Sequence, residues 1–316
     1  MSKTAVLFPG QGSQSVGMGR ALDATFPEAR QTFEEANDAL GFDLAGLCFE
    51  GPEERLRLTE FTQPAIFTVS IAAYRVLANR GFSPQAMAGH SLGEYSALAA
   101  AGAIPFAGAV RTVRRRGQLM QDAVPPGEGA MAAVLGISAE KLAVVCRQAS
   151  QETGAPVSMA NLNSPEQTVI SGAAAAVQRA MVLARECGAG RTILLPVSAP
   201  FHCALMQPAQ DALAPVLRAL PFSRPDVPIV VNVDAAPTCD EEVLRESLIR
   251  QVTGSVRWTE SMQALIAEGF TTFVEVGPGR VLSGLLRQID RGKRAHQVED
   301  PAGVTKLLDA LARPHG

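Results

Sequence analysis

The segment Gly89-His90-Ser91-Leu92-Gly93 has the residue types and spacing of a nucleophile elbow, G-x-S-x-G, in which a sharp turn exposes a serine hydroxyl. A short apolar run precedes it and an alanine-rich helical pattern, 94–101, follows it, which is the context that an elbow requires. The helix N-terminus favours developing negative charge, and the backbone N–H of Leu92 can donate to an oxyanion. The motif therefore predicts nucleophilic catalysis by Ser91; the alternative is a glycine-rich turn whose serine only caps a helix.

A serine hydroxyl is a poor nucleophile at neutral pH and needs a general base, for which the chain offers four histidines. His90 lies inside the elbow and is expected to point away from the serine, while His296 and His315 are expected to be solvated. His202 follows a predicted strand directly and is the expected base. The alternative for His202 is a buried histidine with a structural role. The adjacent Cys203 is interpreted as structural, because no elbow or helix N-terminus activates it.

The acid of a catalytic triad is missing from its expected place. The order in α/β-hydrolases is serine, acid, histidine, yet every acid between Ser91 and His202 except Glu94 and Asp122 falls in the predicted inserted domain described below. None of those acids stands obviously at a strand end. The simpler prediction is a Ser–His dyad whose imidazole is oriented by a backbone carbonyl. The weaker base that results is sufficient if the leaving group is a thiolate.

Four arginines lie on one predicted helix whose apolar stripe is Val110, Val113, Gly117 and Met120: Arg111, Arg114, Arg115 and Arg116. At about 100° per residue, Arg115 points away from that stripe, whereas Arg114 and Arg116 flank it and can reach inward. A flanking arginine could hold a substrate carboxylate through two parallel N–H bonds. The alternative is a solvated basic face.

The opening loop, Gly10-Gln11-Gly12-Ser13-Gln14, does not complete the dinucleotide motif G-x-G-x-x-G, because residue 15 is serine. A cradle for phosphate is therefore not favoured. A turn that donates the Gln11 N–H to an oxyanion would complement Leu92, since such holes usually need two donors.

Three strand, glycine turn and helix units position these residues. The strands are predicted at 4–8, 86–89 and 271–276, followed by helical patterns over 19–40, 94–101 and 281–289. Repeated units of this kind predict a parallel sheet with helices on both faces, and ligands beyond the carboxyl ends of the strands. All three glycine turns would then open onto one rim.

The middle of the chain has the order β-α-β-β-α-β, with strands at 129–136, 156–162, 168–172 and 191–197 and helices at 138–150 and 173–187. This is the ferredoxin-like, split βαβ order. The fold class is thus predicted as α/β: a large domain of the α/β-hydrolase type with a parallel sheet, formed by residues 1–127 and 197–316. A small ferredoxin-like domain, 128–196, is inserted in it.

Composition excludes several classes of protein. The 316 residues are 47% apolar and 19% charged, which is a globular composition, and the net charge of −3 gives no global reason to bind nucleic acid or an anionic membrane. Five scattered cysteines without a CxxC pair argue against a disulfide framework or a metal site, and predict buried free thiols in a reducing cytoplasm. The apolar run at 5–8 is too short for a signal peptide, and prolines disqualify the longest uncharged stretch, 192–210, as a membrane span.

Taken together, these motifs resemble the malonyl-CoA:acyl carrier protein transacylases, the malonyltransferases of bacterial type II fatty acid synthesis, related to the acyltransferase domains of polyketide synthases. The resemblance covers almost the whole chain. It is carried by FPGQGSQ (8–14), TQPA (62–65), GHSLGEYSAL (89–98), RRGQLMQ (115–121), GAMAAVLG (129–136), NLNSPEQTVISG (161–172), FHCALM (201–206) and EVGPG (275–279).

The resemblance implies a ping-pong reaction between malonyl-CoA and a phosphopantetheinylated acyl carrier protein, without a bound cofactor, in a monomer. Ser91, deprotonated by His202, would form a malonyl-serine. The implied roles of the other residues are an oxyanion hole from the N–H groups of Gln11 and Leu92, a grip on the malonyl carboxylate by Arg116, and orientation of the histidine by the main-chain carbonyl of Gln251.

Two further expectations concern specificity and docking. In related polyketide acyltransferases a phenylalanine at the position of Phe201 accompanies malonyl selectivity, so malonyl is expected over methylmalonyl. An acidic carrier needs a positive patch, and the segment from residue 280 to 294 carries five basic residues against Asp290, a local charge of +4. The residues expected to dock the carrier are Arg191, Arg280, Arg287, Lys293 and Arg294. The alternative is that these cations only favour a helix C-terminus.

Three other functions remain open at this point. The chain could serve a polyketide synthase in trans or transfer malonyl within a malonate decarboxylase, with the same chemistry. It could also be a thioesterase or esterase, which would release free malonate without a carrier thiol. A binding protein with a dead site is the third, against which stands the joint presence of Ser91, His202 and Arg116.

Overall fold

The computed structural model describes residues 3–197 and 199–312, and their strands form two separate sheets. The larger sheet has the order β10-β9-β1-β2-β7-β8. Its strands are β1 (Lys3–Phe8), β2 (Ala86–Gly89), β7 (Ile229–Val231), β8 (Ala236–Thr238), β9 (Phe270–Val276) and β10 (Ala295–Val298). All neighbouring pairs in it are parallel except β7 with β8.

The parallel register brings the carboxyl ends of β1, β2 and β9 to one edge of the sheet. Phe8 pairs with Gly89, and Leu7 pairs with Glu275, so the three glycine turns that follow these strands start side by side. The predicted common rim is therefore confirmed. This is the edge at which open α/β sheets bind their ligands.

Helices cover both faces of this sheet, which explains why its central strand is apolar throughout. Along β1, Val6 and Phe8 pack into one core cluster, whereas Ala5 and Leu7 pack into another on the opposite face. The helices outside the small domain are α1 (Arg20–Thr25), α2 (Pro27–Leu40), α3 (Leu44–Glu50), α4 (Glu53–Leu56), α5 (Thr59–Ala78), α6 (Leu92–Ala100), α7 (Phe106–Asp122), α10 (Gln207–Ala219), α11 (Glu241–Gln251), α12 (Trp258–Ala267), α13 (Val281–Ile289) and α14 (Pro301–Ala312).

The second sheet is antiparallel, with the order β4-β5-β3-β6. Its elements are β3 (Gly129–Leu135), α8 (Ala139–Thr153), β4 (Val157–Ser164), β5 (Gln167–Ala173), α9 (Ala174–Glu186) and β6 (Arg191–Leu194), in the βαββαβ order. One face packs under the two helices, and residues of the other face, such as Met131 and Val169, join the core of the large domain. The predicted fold class is confirmed; the exact domain limits at 127/128 and 196/197 stay a prediction.

Two expectations from the sequence are wrong in detail. The helix predicted over 19–40 is two helices, because Phe26 is extended (φ −121°, ψ 124°) and Pro27 opens the second one. A residue before proline is driven out of the α region by a clash with the proline ring. The five cysteines are free, but Cys187 is exposed and Cys239 is half-buried, so only Cys48, Cys146 and Cys203 are buried thiols.

Among the described helices, none is long and apolar enough to cross a membrane.

Candidate active site

Ser91 occupies a strained turn between β2 and α6. Its backbone is at φ 52° and ψ −106°, a region that residues with a side chain rarely adopt. The two motif glycines make the turn possible: a Cβ on Gly89 would lie 1.8 Å from the carbonyl oxygen of Gly93, and one on Gly93 would lie 2.1 Å from that of Phe8. The chain thus has the geometry of a nucleophile elbow.

The side chains of Ser91 and His202 are in direct contact at the edge of a cavity. Ser91 Oγ lies 2.7 Å from His202 Nε2, and His202 Nδ1 lies 2.8 Å from the main-chain oxygen of Gln251. A carbonyl oxygen can only accept, so Nδ1 carries the proton and Nε2 is left to accept the serine hydroxyl. Burial, and then the nearby Arg116, lower the pKa of His202 to about 3, which keeps the imidazole neutral at physiological pH and leaves the lone pair of Nε2 unprotonated.

Arg116 is 2% exposed and its guanidinium reaches the same point from α7. Nη1 donates to Gln63 Oε1 at 2.7 Å, and Nη2 donates to Gln251 Oε1 at 3.0 Å and to Ser91 Oγ at 3.2 Å. Burial lowers the pKa of this guanidinium without bringing it an ion pair among the described residues. A buried cation of this kind, next to the serine, can bind a substrate carboxylate.

The other arginines of α7 take the directions that the helical periodicity predicted. Arg114 is half-buried, donates to the carbonyl of Leu40 and lies over the ring of Phe42. Arg111 and Arg115 are exposed. The prediction that two of the four can reach inward is confirmed, and Arg116 is the one that reaches the serine.

A cavity of about 200 Å³ opens in front of Ser91, between the two sheets. Gln11, which follows β1, and Leu92 both line it, and the backbone N–H groups of these two residues are not hydrogen-bonded within the described part of the chain. The remaining wall is mostly apolar and includes Phe201, which is 8% exposed. The space suits a short acyl group beside two free N–H donors.

Comparison with known proteins places this chain in a family. A family model described as "Acyl transferase domain" matches residues 6–307. The chain belongs to the acyltransferase family. The resemblance inferred from the sequence motifs is thereby confirmed.

This acyltransferase is similar to malonyl CoA-acyl carrier protein transacylases over nearly its whole length. The malonyl CoA-acyl carrier protein transacylase of Bacillus subtilis (strain 168) is 49% identical over 311 residues, which are 98% of each chain. The solved structure of the malonyl CoA-acyl carrier protein transacylase from Coxiella burnetii has a TM-score of 0.96 at 42% identity, covering 99% of this chain and 98% of that one. A type II PKS acyl-carrier protein in complex with its malonyl-transacylase has also been solved, and the similar chain has a TM-score of 0.95 at 46% identity, covering 98% and 100%.

Sequence reasoning missed three buried polar residues of this acyltransferase. Gln63 accepts from Arg116, Asn232 contacts the elbow and Glu94 contacts both Asn232 and Gln251. Gln63 and Glu94 stand inside the motifs TQPA and GHSLGEYSAL, where a polar residue in an apolar run could have indicated them. Asn232 lies outside those motifs, but it interrupts the apolar run 229–233 in the same way.

The histidines other than His202 have no part in the dyad. His90 also lines the cavity, and its Nε2 lies 2.8 Å from Asn163 Oδ1; burial lowers its pKa. His296 lies in β10 and is half-buried, so it is partly solvated. His315 lies outside the described residues. The part of the chain that the structure describes contains no group of three or more His, Cys, Asp or Glu residues that could hold a metal ion.

The basic residues expected to dock a carrier divide into two groups. Arg287 and Arg294 line a surface concavity together with Arg291. By contrast, Arg280 pairs with Glu299 at 3.3 Å, which offsets its charge. Lys293 keeps its charge but donates to the carbonyl of Phe270, which directs its ammonium group toward β9. Arg191 is exposed at the start of β6 and does not line this concavity.

Gly93→Ala is expected to lower the free energy of unfolding by about 1–3 kcal/mol, because the added methyl group must displace the backbone of β1. Urea denaturation measures the change. The matched control is Gly284→Ala on α13, where an added Cβ meets nothing within 4 Å and alanine is expected to gain up to about 1 kcal/mol. Equal midpoints for the two variants would contradict the close-approach argument.

Proposed function

We propose that this acyltransferase moves the malonyl group from malonyl-CoA to the phosphopantetheine thiol of an acyl carrier protein, through a malonyl ester on Ser91. The observation that carries the proposal is the meeting of three groups at one point. The Ser91 hydroxyl lies within hydrogen-bond distance of both His202 Nε2 (2.7 Å) and Arg116 Nη2 (3.2 Å) in a mostly apolar cavity.

In the first half-reaction, His202 takes the hydroxyl proton while Ser91 Oγ bonds to the thioester carbon. The N–H groups of Gln11 and Leu92 hold the oxyanion, the C–S bond breaks, and the CoA sulfur leaves with the proton from His202. The second half-reaction runs the same steps with the carrier thiol as nucleophile. The malonyl carboxylate stays on Arg116 throughout, which fixes the acyl group in place.

This mechanism uses the chain's own residues and two substrates, with no bound cofactor. The Gln251 carbonyl holds His202 in the required tautomer, as a triad carboxylate would, but without its charge. A thiolate is a good leaving group, so that weaker support is sufficient. A cytoplasmic location and a monomeric state are proposed with it, from the resemblance alone.

A second candidate is the same transfer in polyketide synthesis. It is favoured by the similarity to the malonyl-transacylase solved in complex with a type II PKS acyl-carrier protein. Transfer rates to a panel of fatty acid and polyketide carriers distinguish these two pathways. A malonate decarboxylase carrier in the same panel tests the third pathway that the sequence left open.

The test of the proposal is intact-protein mass spectrometry of the two half-reactions. Brief mixing with malonyl-CoA is expected to add about 86 Da, the mass of one malonyl group replacing a hydrogen in a covalent intermediate. Carrier protein with its phosphopantetheine arm discharges the adduct, and the same carrier without the arm does not. An adduct that water releases as free malonate at the same rate would indicate a thioesterase, and no adduct would contradict the proposal.

Phe201→Ser is expected to raise turnover of methylmalonyl-CoA relative to malonyl-CoA by about tenfold or more, because removing the ring leaves room for an α-methyl group. Competition between the two thioesters measures the ratio. Phe222→Ser serves as the control, since Phe222 is buried to a similar extent but does not line the cavity. An unchanged ratio in Phe201→Ser would count against a role of this ring in selectivity.

The double variant Arg287→Glu/Arg294→Glu is expected to raise the KM for carrier protein by about tenfold and to weaken its dependence on salt, because an acidic partner loses two cations. Stopped-flow transfer at several ionic strengths measures both. Arg147→Glu/Arg224→Glu, two exposed arginines outside the concavity, gives the same net charge as a control. Equal effects in the two double variants would show that only the overall charge matters.

A further inference from the structure

Glu94 is a buried carboxylate that the reaction just described does not use. It is 0% exposed and lies on α6, three residues after the serine. Its Oε2 accepts from the backbone N–H of Asn232 at 2.9 Å and from Gln251 Nε2 at 2.8 Å, while its Oε1 has no partner within the described residues. Ion pairing does not explain it either, since none of the salt bridges among those residues includes Glu94.

Through Asn232, this carboxylate is connected to the elbow. The Asn232 side chain accepts the Ser91 N–H at 2.7 Å and donates to the carbonyl of Gly89 at 2.7 Å, so one amide bridges both sides of the turn. Strained backbone such as that of Ser91 persists only where its surroundings hold it. Asn232 holds the turn, and Glu94 in turn holds Asn232 through its backbone N–H.

Through Gln251, the same oxygen is connected to the base. The Gln251 side chain donates to Glu94 and to the carbonyl of Ser91 (3.1 Å), and its Oε1 accepts from Arg116. The main chain of the same residue accepts from His202 Nδ1. A shift of this glutamine would therefore change the orientation of the imidazole.

We propose that Glu94 is a positioning residue that holds both members of the dyad at once and supplies the negative charge opposing the imidazolium formed during acylation. The inference rests on the proposed function. Arg116 disfavours a proton on His202. The Glu94 carboxylate is attracted to Arg116, and Gln251 joins Glu94 to Arg116 through its side chain and to His202 through its main chain, which places a negative charge opposite that cation. An acid is thus present after all, but it reaches the histidine through Gln251 instead of contacting it directly.

The charge of Glu94 is expected to depend on pH near neutrality. Burial raises the pKa of this carboxyl to about 7, against the opposing effects of its two hydrogen bonds and of Arg116 on α7, and Asp234 adds to the rise. Arg250 on α11, which pairs with Asp234, and the buried Tyr95 also face it. Because the raised pKa favours the neutral form, the carboxylate is lost as pH falls through about 7. The burial of this group therefore lowers stability as pH rises from about 4.5 to about 7, and the loss is complete above that range.

The experiment measures acylation alone, as first-turnover CoA release with saturating malonyl-CoA between pH 5.5 and 8.5. Wild type is expected to slow as pH falls through the pKa of Glu94. Glu94→Gln keeps the shape but not the charge, and should acylate at least about tenfold more slowly at pH 8, with no such limb and with half-saturation by malonyl-CoA within about threefold of wild type. If Glu94 had only a structural role, its substitution would lower the free energy of unfolding and leave the pH profile of acylation unchanged. We expect instead that the urea midpoint of Glu94→Gln at pH 8 is equal to or higher than that of wild type.

A second variant and a control keep the test decisive. Gln251→Leu removes the side-chain link but not the carbonyl that orients His202, and is expected to slow acylation by about tenfold as well. Glu275→Gln is the control, a buried carboxylate that accepts from the N–H groups of Leu282 and Ser283 and is expected to keep the wild-type pH profile. Wild-type rates and pH profiles in both Glu94→Gln and Gln251→Leu would overturn the inference. Failure of the wild type to acylate would instead overturn the proposed function, and the inference with it.

Discussion

Ser91→Ala is expected to form no malonyl adduct and to lower the transfer rate by about 10³-fold or more, because no other group can take the place of the serine hydroxyl in forming the covalent intermediate. The serine is the only hydroxyl that the structure places against His202 Nε2 among the described residues. His202→Ala should have an effect of similar size, since the two side chains act as one unit and their effects do not add. Intact mass and first-turnover CoA release measure both variants.

The control for this prediction is Ser13→Ala, which removes a second serine hydroxyl from the same cavity. It should form the adduct at a rate close to that of wild type. An adduct that persists in Ser91→Ala and disappears in Ser13→Ala would move the nucleophile to Ser13. An adduct that persists in both would place it outside this pair.

Arg116→Ala is expected to lower kcat/KM for malonyl-CoA by about 10²- to 10³-fold while lowering that for acetyl-CoA much less, because only the malonyl group carries a carboxylate for the guanidinium to bind. The ratio of the two thioesters is the informative quantity. Arg116 is buried and donates to Gln63 and Gln251, so its removal can also disturb the site in a way that slows both thioesters equally. Such a disturbance cancels in the ratio.

Arg116→Lys provides the matched variant. It keeps the positive charge but not the planar fork, so malonyl-CoA should still be used at least about tenfold less well than by wild type. Urea denaturation of both variants separates a folding defect from a binding defect. A malonyl-to-acetyl ratio that stays at the wild-type value in Arg116→Ala would show that this arginine does not bind the malonyl carboxylate.

Much of the fold could be predicted from the sequence, because local spacing determines it. The apolar run at 86–89, the elbow and the helix after it follow from neighbouring residues, and the structure has β2 and α6 there within two residues. The βαββαβ order of the small domain likewise follows from alternation and helical period. The inward direction of Arg116 needed only the 100° step of a helix. Where local reasoning failed, as at Phe26, the overlooked factor was also local: the restriction that Pro27 places on the residue before it.

The support of the site was decided by the tertiary structure alone. Asn232 and Glu94 are 138 residues apart, and Gln251 and Ser91 are 160 residues apart, yet each pair is joined by a hydrogen bond. Neither periodicity nor turn chemistry relates positions so distant, because these contacts arise only when β7 and α11 pack beside the elbow. In the same way, the net charge of segment 280–294 could be counted from the sequence, but the pairing of Arg280 with Glu299 depends on the loop after β10. The residues that could do chemistry were thus determined by the sequence itself, whereas their orientation, burial and charge were decided by long-range packing.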